Sequence, residues 1–90
     1  MKTLKIYISG TVQSSTFRQY MKEQADKIGV RGYIRNLSDG RVEIFAEGRD
    51  EKVKEFLGVC HVGYPHSKIK NVEHQEMKHQ DFRDFRIIKI

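Results

Sequence analysis

The period of the apolar residues changes once near the start of the chain, and this change limits the folds that the chain can adopt. Between residues 4 and 10 apolar and polar side chains alternate, which is typical of a strand with one buried face. From Phe17 to Ile28 the apolar residues recur at spacings of four, four and three, which predicts a helix with one buried stripe. The chain therefore begins with a strand that leads through a short polar turn into a helix, and Gly29 is placed to end that helix.

The rest of the chain continues this pattern of short, half-buried elements. The predicted elements are strands at 30–37, 41–48, 69–77 and 82–90, a helix that Asp50 caps and Gly58 ends, and a loop at 59–67. Ser38-Asp39-Gly40 joins the first two of these strands as a hairpin. We therefore expect a single domain over residues 1–90. Its order of elements predicts an α+β two-layer sandwich of ferredoxin-like type, βαββαβ, with both helices on one face of an antiparallel sheet.

The composition narrows the class of protein. The 90 residues carry a formal net charge of +5, which favours anionic partners, but the basic residues are spread along the chain rather than forming a tail. We therefore expect no nucleic-acid partner. No apolar run approaches the roughly 20 residues of a membrane span, and the first residues lack the apolar centre of a signal peptide. The single cysteine excludes an internal disulfide, which is consistent with a reducing compartment, so we expect a cytoplasmic protein. We also expect a monomer.

The turn between the first strand and the first helix has a distinctive composition. Residues 10–18, GTVQSSTFR, contain four hydroxyl side chains and one arginine but no acidic residue. Ser15 or Thr16 is placed to cap the helix. Arg18 lies at the helix start, where its charge opposes the helix dipole, so it needs an anion or full solvation. Two interpretations stay open from the residues alone: an anion cradle of backbone N–H groups, or an ordinary polar turn.

Asn36, at the end of the second predicted strand, also has two interpretations. Asparagine before a turn is usually a local turn former, but its amide could also donate to and accept from a water beside the cradle. The four histidines and Cys60 have no established metal-ligand spacing, so we expect no metal site and no cofactor. The hydroxyl groups of the turn lack a neighbouring base, which argues against covalent catalysis.

These segments together resemble the acylphosphatase family. Residues 10–18 resemble its signature GxVQGVxFR, and residues 29–36, GVRGYIRN, are similar to its GLxGWVRN. Residues 38–48 are similar to its DGxVE and AEG segments, and weaker matches extend to residues 85–87. The resemblance covers nearly the whole chain and implies the α/β sandwich of that family.

The resemblance implies hydrolysis of acyl phosphates, which are carboxyl-phosphate anhydrides, to carboxylate and inorganic phosphate without a metal. Backbone N–H groups of a phosphate-binding loop and the Arg18 guanidinium would hold the phosphoryl oxygens, and Asn36 would orient the attacking water. The loop residues are Gln13, Ser14, Ser15, Thr16, Phe17 and Arg18. The implied partners are a small-molecule acyl phosphate as substrate and inorganic phosphate as product and inhibitor.

The chain departs from the family pattern where Ser14-Ser15 replaces Gly-Val. Glycine in such a loop usually supplies a positive φ, and serine in a left-handed conformation would cost about 1–2 kcal/mol. Two interpretations of this departure stay open. In one, Ser14 is strained and turnover rises when Gly-Val is restored; in the other, the two hydroxyls donate to the phosphate. Two alternatives remain: a weakly active or inactive relative that binds phosphate or another anion, and a small basic module that interacts with RNA.

Overall fold

Two helices cover one face of a five-stranded sheet in the computed structural model, which describes residues 1–89. The elements are β1 (Lys2–Gly10), α1 (Ser15–Ile28), β2 (Arg31–Asn36), β3 (Val42–Gly48), α2 (Asp50–Val62), β4 (Ile69–Glu76) and β5 (Phe85–Ile88). Across the sheet the strands lie in the order β4-β1-β3-β2-β5. The predicted α+β sandwich of ferredoxin-like type is confirmed.

The core lies between the helices and the inner face of the sheet. Every second residue of β1 and β3 is buried there, and the stripe predicted on α1 supplies Phe17, Met21 and Ala25, with Ile28 partly buried. Burying a side chain of this size contributes about 1.5–3 kcal/mol, so the alternation of the strands and the helical stripe stabilise the same layer. Within residues 1–89, neither helix is long and apolar enough to cross a membrane.

The second helix is longer than its sequence predicts. Gly58 does not end it: α2 continues to Val62 and stops at Gly63, whose N–H donates to the Val59 carbonyl at 2.8 Å. The reason is Cys60, which lies in the helix and not in a loop, and continues the buried stripe of Val53 and Phe56. The helix start also differs from the prediction, because Asp50 is its first residue and the cap position is Arg49, without a side-chain hydrogen bond.

The sheet is mixed rather than wholly antiparallel, because β5 pairs parallel with β2. After β4 the chain crosses one end of the sheet, from the β4 edge to the β2 edge, through a crossing segment of residues 77–84. At one end of this segment the Met77 N–H donates to the Thr3 carbonyl, and at the other the Asp84 carbonyl accepts from the Gly32 N–H. Since the crossing ends beside the start of β2, β5 can only continue in the same direction as β2.

The carboxylate of Glu47 holds the crossing segment in place. Glu47 alternates with inward-facing Ala46 in β3, so it lies on the outer face of the sheet, yet its side chain is 0% exposed because the segment covers it. It accepts from the Gln80 N–H at 2.6 Å and from the Phe82 N–H at 2.9 Å, as well as from the Thr3 hydroxyl. Burial raises the pKa of Glu47, but these hydrogen bonds together outweigh burial and hold the pKa below its ordinary value.

Replacing this carboxylate should therefore weaken the fold and change how stability depends on pH. Because the folded-state pKa lies below the unfolded value, the carboxylate contributes fully above about pH 4.3 and its contribution is lost as the pH falls through the folded pKa. Glu47→Gln replaces one acceptor oxygen by an amide N–H₂, which then faces the hydroxyl and N–H donors that the carboxylate had accepted from. We expect it to lower the free energy of unfolding by about 1–3 kcal/mol at neutral pH. Below the folded pKa the difference from the wild type should shrink.

Urea denaturation at several pH values checks this expectation, with Glu55→Gln on the exposed face of α2 as the matched control. The interpretation is wrong if Glu47→Gln and Glu55→Gln have the same stability across the whole pH range.

Candidate active site

The residues singled out in the sequence gather at one end of the sheet. Both β1 and β2 are antiparallel to β3, and β5 is parallel to β2, so the carboxyl ends of β1, β2 and β5 lie together. The loop after β1, Asn36 at the end of β2 and Ile88 at the end of β5 therefore meet there. The crossing segment lies at the opposite end.

Gly10 fixes the loop after β1 against the start of β4. Its φ is +134°, and a Cβ at this position would lie 1.9 Å from the Lys68 carbonyl oxygen, so only glycine fits. The next residue, Thr11, donates its N–H to that carbonyl at 3.0 Å, and its hydroxyl accepts from the Lys68 N–H at 2.7 Å. The beginning of the loop is thus held on both sides.

Ser14, and neither Ser15 nor Thr16, caps the first helix. Its φ of −79° and ψ of 154° are extended, and its Oγ accepts from the Phe17 N–H at 3.0 Å. The expected left-handed strain at Ser14 is therefore wrong, because an N-cap residue adopts a backbone conformation open to any side chain. Serine here is a favoured capping residue, so the departure from the family pattern strengthens the helix start.

The cap leaves part of the loop free to bind an anion. Phe17 and Arg18 use their N–H groups inside the turn, the latter to the Ser14 carbonyl at 3.3 Å. The N–H groups of residues 13–16 have no hydrogen-bond partner within the part of the chain that the structure describes. They lie at the N-terminus of a 14-residue helix, where the dipole adds partial positive charge. We call these four groups the N–H nest; the sequence predicted six.

Arg18 and Asn36 meet at one atom beside the N–H nest. The Arg18 guanidinium donates to the Gln13 carbonyl oxygen at 3.2 Å, and the Asn36 Nδ2 donates to the same oxygen at 3.2 Å. Among residues 1–89, no acidic side chain forms an ion pair with Arg18. The structure thus brings together the two residues that the sequence singled out and leaves the charge of Arg18 for a ligand.

The amide of Asn36 has one polar atom without a partner. Its Oδ1 is buried and, among the described residues, accepts no hydrogen bond. A buried acceptor left unsatisfied costs about 1–3 kcal/mol, and this oxygen is the atom of the Asn36 amide that retains hydrogen-bonding capacity. The orientation of the amide follows from its Nδ2, because a flipped amide would place Oδ1 against the Gln13 carbonyl oxygen.

A small cavity of about 200 Å³ connects Arg18 and Asn36 with the end of β5, where Ile88 and Lys89 complete its lining. The sequence analysis missed these two residues. They reach the site because β5 is parallel to β2, and the antiparallel arrangement expected from the sequence would have placed them at the other end. A larger groove of about 610 Å³ lies on the other side of the loop, near Lys68 and Lys70, and does not include Arg18 or Asn36.

Other candidates from the sequence take no part in this site. Within residues 1–89, no three His, Cys, Asp or Glu side chains are close enough to hold a metal ion together. Cys60 is buried on the inner face of α2, and burial raises the pKa of its thiol. The Ser14 hydroxyl serves as the helix cap, and among residues 1–89 no hydroxyl of the loop is hydrogen-bonded to a side-chain base.

Comparison with known proteins places this geometry in a family. The sequence profile described as Acylphosphatase matches residues 4–87. The Acylphosphatase of Rubrobacter xylanophilus is 44% identical over 83% of this chain and 68% of its own length. That of Bacillus licheniformis is 41% identical over 97% of this chain and 98% of its own. The crystal structure of acylphosphatase from Bacillus subtilis has a TM-score of 0.93 and 32% identity, and the match covers 99% of this chain and 100% of that one.

The fold and the site thus define a small α+β sandwich with the N–H nest at the start of its first helix. The chain belongs to the acylphosphatase family.

The role of Ser14 as a cap can be tested through stability. Ser14→Ala removes the acceptor for the Phe17 N–H, so we expect it to lower the free energy of unfolding by about 0.5–2 kcal/mol. Ser14→Gly keeps the N-cap conformation accessible and should cost only a few tenths of a kcal/mol, roughly. For a domain of this size, about 1 kcal/mol corresponds to a shift of about 4–8 °C in Tm. Thermal denaturation of the wild type and both variants checks this expectation. If Ser14→Gly is the most stable of the three proteins, Ser14 is strained after all.

Proposed function

We propose that this protein is an acylphosphatase that hydrolyses acyl phosphates to a carboxylate and inorganic phosphate. The observation that carries the proposal is the meeting of Arg18 and Asn36 at the Gln13 carbonyl, beside the N–H nest. The family supports it, because the curated relatives carry the name Acylphosphatase. Each part of the site has a distinct task in this reaction.

The N–H nest and Arg18 bind the phosphoryl group in this proposal. Four N–H groups at a helix N-terminus and a planar guanidinium offer donors from different directions, which suits the several oxygens of a phosphate. These donors are fixed by the helix start and by the Thr11 contacts before the substrate arrives. Preorganised donors of this kind stabilise charge that develops on the phosphoryl oxygens in the transition state.

Asn36 orients the attacking water. Its Nδ2 is held by the Gln13 carbonyl, so Oδ1 is presented as an acceptor for a water O–H. The oxygen of that water attacks phosphorus, the bond between phosphorus and the acyl oxygen breaks, and its electron pair leaves with the carboxylate. A carboxylate is a stable anion at neutral pH, so the leaving group needs no general acid. Both protons of the water stay with the phosphate product, which forms as dihydrogen phosphate.

We propose that this reaction needs neither metal nor cofactor. We call Arg18 and Asn36 the catalytic pair. The cavity beside them is also lined by Ile88 and Lys89, and these four residues offer cations and an amide but no carboxylate or imidazole ligand. Positioning and charge stabilisation can carry the hydrolysis of an activated phosphate.

The weakly active alternative loses its physical basis. It rested on strain from Ser14-Ser15, and Ser14 is an unstrained helix cap.

The RNA alternative is not favoured by the comparisons. RNA-binding sheets stack bases on aromatic side chains, and the nearest aromatic residues for that role are Tyr33 and Phe45. These two rings stack on each other at 5.1 Å between centroids, and the Tyr33 hydroxyl donates to Glu43. We further propose that residues 1–90 act as one domain and as a monomer in the cytoplasm, where a single buried thiol stays reduced.

The division of labour predicts different kinetics for two variants. Arg18→Ala removes a contact made in both ground and transition states, so it should raise KM and lower kcat together. Asn36→Ala removes only the contact to water, so it should lower kcat about 10²-fold or more while KM changes little. Phosphate release from acetyl phosphate, with chelator present throughout, measures both.

Matched controls separate these effects from the general effect of removing an arginine or an asparagine side chain. Arg83→Ala and Asn71→Ala remove exposed side chains outside the site and should keep the wild-type kinetics. Two results would count against the proposal: activity that disappears with chelator and returns with a divalent ion, or an Asn36→Ala variant that loses phosphate binding as Arg18→Ala does.

Inorganic phosphate should bind the same site and stabilise the folded protein. Binding to the native state alone adds about 2.7 kcal/mol of stability at one hundred times the dissociation constant, so Tm should rise with phosphate concentration. Phosphate should also compete with the substrate in the kinetic assay, and Arg18→Ala should lose most of the Tm shift. Short RNA at equal charge concentration is the comparison; a Tm raised by RNA but not by phosphate would favour the RNA module.

A further inference from the structure

The side chain of Gln13 ties the phosphate-binding loop to the turn between β2 and β3. Its Nε2 donates to the Leu37 carbonyl at 2.7 Å and to the Arg41 carbonyl at 2.9 Å, so both amide hydrogens are used. These two carbonyls also close the turn itself, since they accept from the Gly40 and Leu37 N–H groups. The glutamine side chain therefore joins an already formed turn to a loop that lies beside it in space.

The main chain of the same residue contacts both members of the catalytic pair. The Gln13 carbonyl oxygen accepts from Arg18 and from Asn36, each at 3.2 Å. The position of this oxygen is set by where the side chain anchors the residue. A movement of Gln13 would shift the guanidinium and the amide together, and with them the site of the phosphate and the site of the water.

We propose that Gln13 is a positioning residue for acyl phosphate hydrolysis, acting through its side-chain amide on Arg18 and Asn36. This inference rests on the proposed function. The Gln13 side chain does not contact the substrate; it holds the carbonyl that orients the two groups that do. Its backbone N–H remains part of the N–H nest.

The chemistry of the two contacts explains why glutamine is required. Two carbonyl oxygens face the side chain, so it must supply two donors from one planar group, which an amide does. Glutamate has no donor when ionised, methionine has similar length but no donor, and asparagine is one methylene shorter. The beginning of the loop needs no such side-chain contact, because hydrogen bonds between Thr11 and Lys68 already hold it.

The effect should fall on turnover more than on binding. The N–H nest is held by the start of α1 and by the Ser14 cap, so a loosened Gln13 leaves most phosphate contacts in place. The Asn36 Nδ2 donates to the Gln13 carbonyl, so the Asn36 amide loses its orientation when Gln13 moves. Small displacements of a positioned group reduce turnover steeply.

The experiment compares Gln13→Ala and Gln13→Met with Gln80→Ala. Gln80 is the matched control, since its exposed side-chain amide also donates to a backbone carbonyl, that of Lys78 at 3.0 Å, but at the opposite end of the sheet. With acetyl phosphate as substrate, we expect both Gln13 variants to lower kcat by about 10- to 100-fold with KM changed by less than about threefold. Gln80→Ala should keep wild-type kcat and KM.

A double-mutant cycle with Asn36→Ala tests whether Gln13 acts through Asn36. A merely structural loss would reduce kcat by the same factor in both backgrounds, whereas a positioning residue loses most of its effect once its target is gone. We expect Gln13→Met to lower kcat by a clearly smaller factor in the Asn36→Ala background than in the wild type, and the remaining loss to come from Arg18. The two Gln13 variants differ in packing volume, so a folding defect of one leaves the other to measure.

Each outcome decides between the claims. Wild-type kinetics in the Gln13 variants, or a fully additive cycle, overturns the positioning role while the hydrolytic function stands. A wild-type protein that does not hydrolyse acetyl phosphate overturns the proposed function and the role of Gln13 with it.

Discussion

The buried carboxylate of Glu47 is the contact on which the arrangement of the whole sheet depends. By accepting from the Gln80 and Phe82 N–H groups it fixes the crossing segment at one end of the sheet. The path of that segment sets the direction of β5, and a β5 parallel to β2 brings Ile88 and Lys89 to Arg18 and Asn36 at the other end. The carboxylate of Glu47 thus holds the segment that leads β5 to the cavity beside Arg18.

A second buried carboxylate stiffens the strands that carry the site. Glu43 of β3 accepts from the hydroxyls of Tyr7 and Tyr33, one on each neighbouring strand, and pairs with Arg35 at 2.7 Å. Burial raises the pKa of Glu43, but the hydrogen bonds from Arg35 and the two tyrosines outweigh it and hold the pKa below the ordinary value. Because Arg35 precedes Asn36, this network restrains the end of β2 from the outer face of the sheet, and the loop restrains it from the helix side.

The features that follow from local periodicity could be predicted from the sequence, and those that depend on distant contacts could not. The buried stripe of α1 and the Ser38–Gly40 turn follow from side-chain spacing and glycine, and the structure has both. The direction of β5 depends on the path of residues 77–84, and Glu47, which holds this segment, has the pattern of an ordinary polar position in a strand. The helix cap moved by one residue because three adjacent hydroxyl side chains compete for it, and only the three-dimensional path of the loop selects Ser14. The proximity of Arg18 and Asn36 matches the resemblance; their roles remain predictions.

Because of its position, Cys60 can report on local opening of the folded protein. Its sulfur is covered by the packing of α2 on the sheet, with 0% of the residue exposed, and burial raises the pKa of the thiol, so the reactive thiolate is scarce. An alkylating reagent in solution can reach this sulfur only when α2 separates from the sheet. The rate of thiol labelling under native conditions therefore measures how often that layer opens, without any introduced probe.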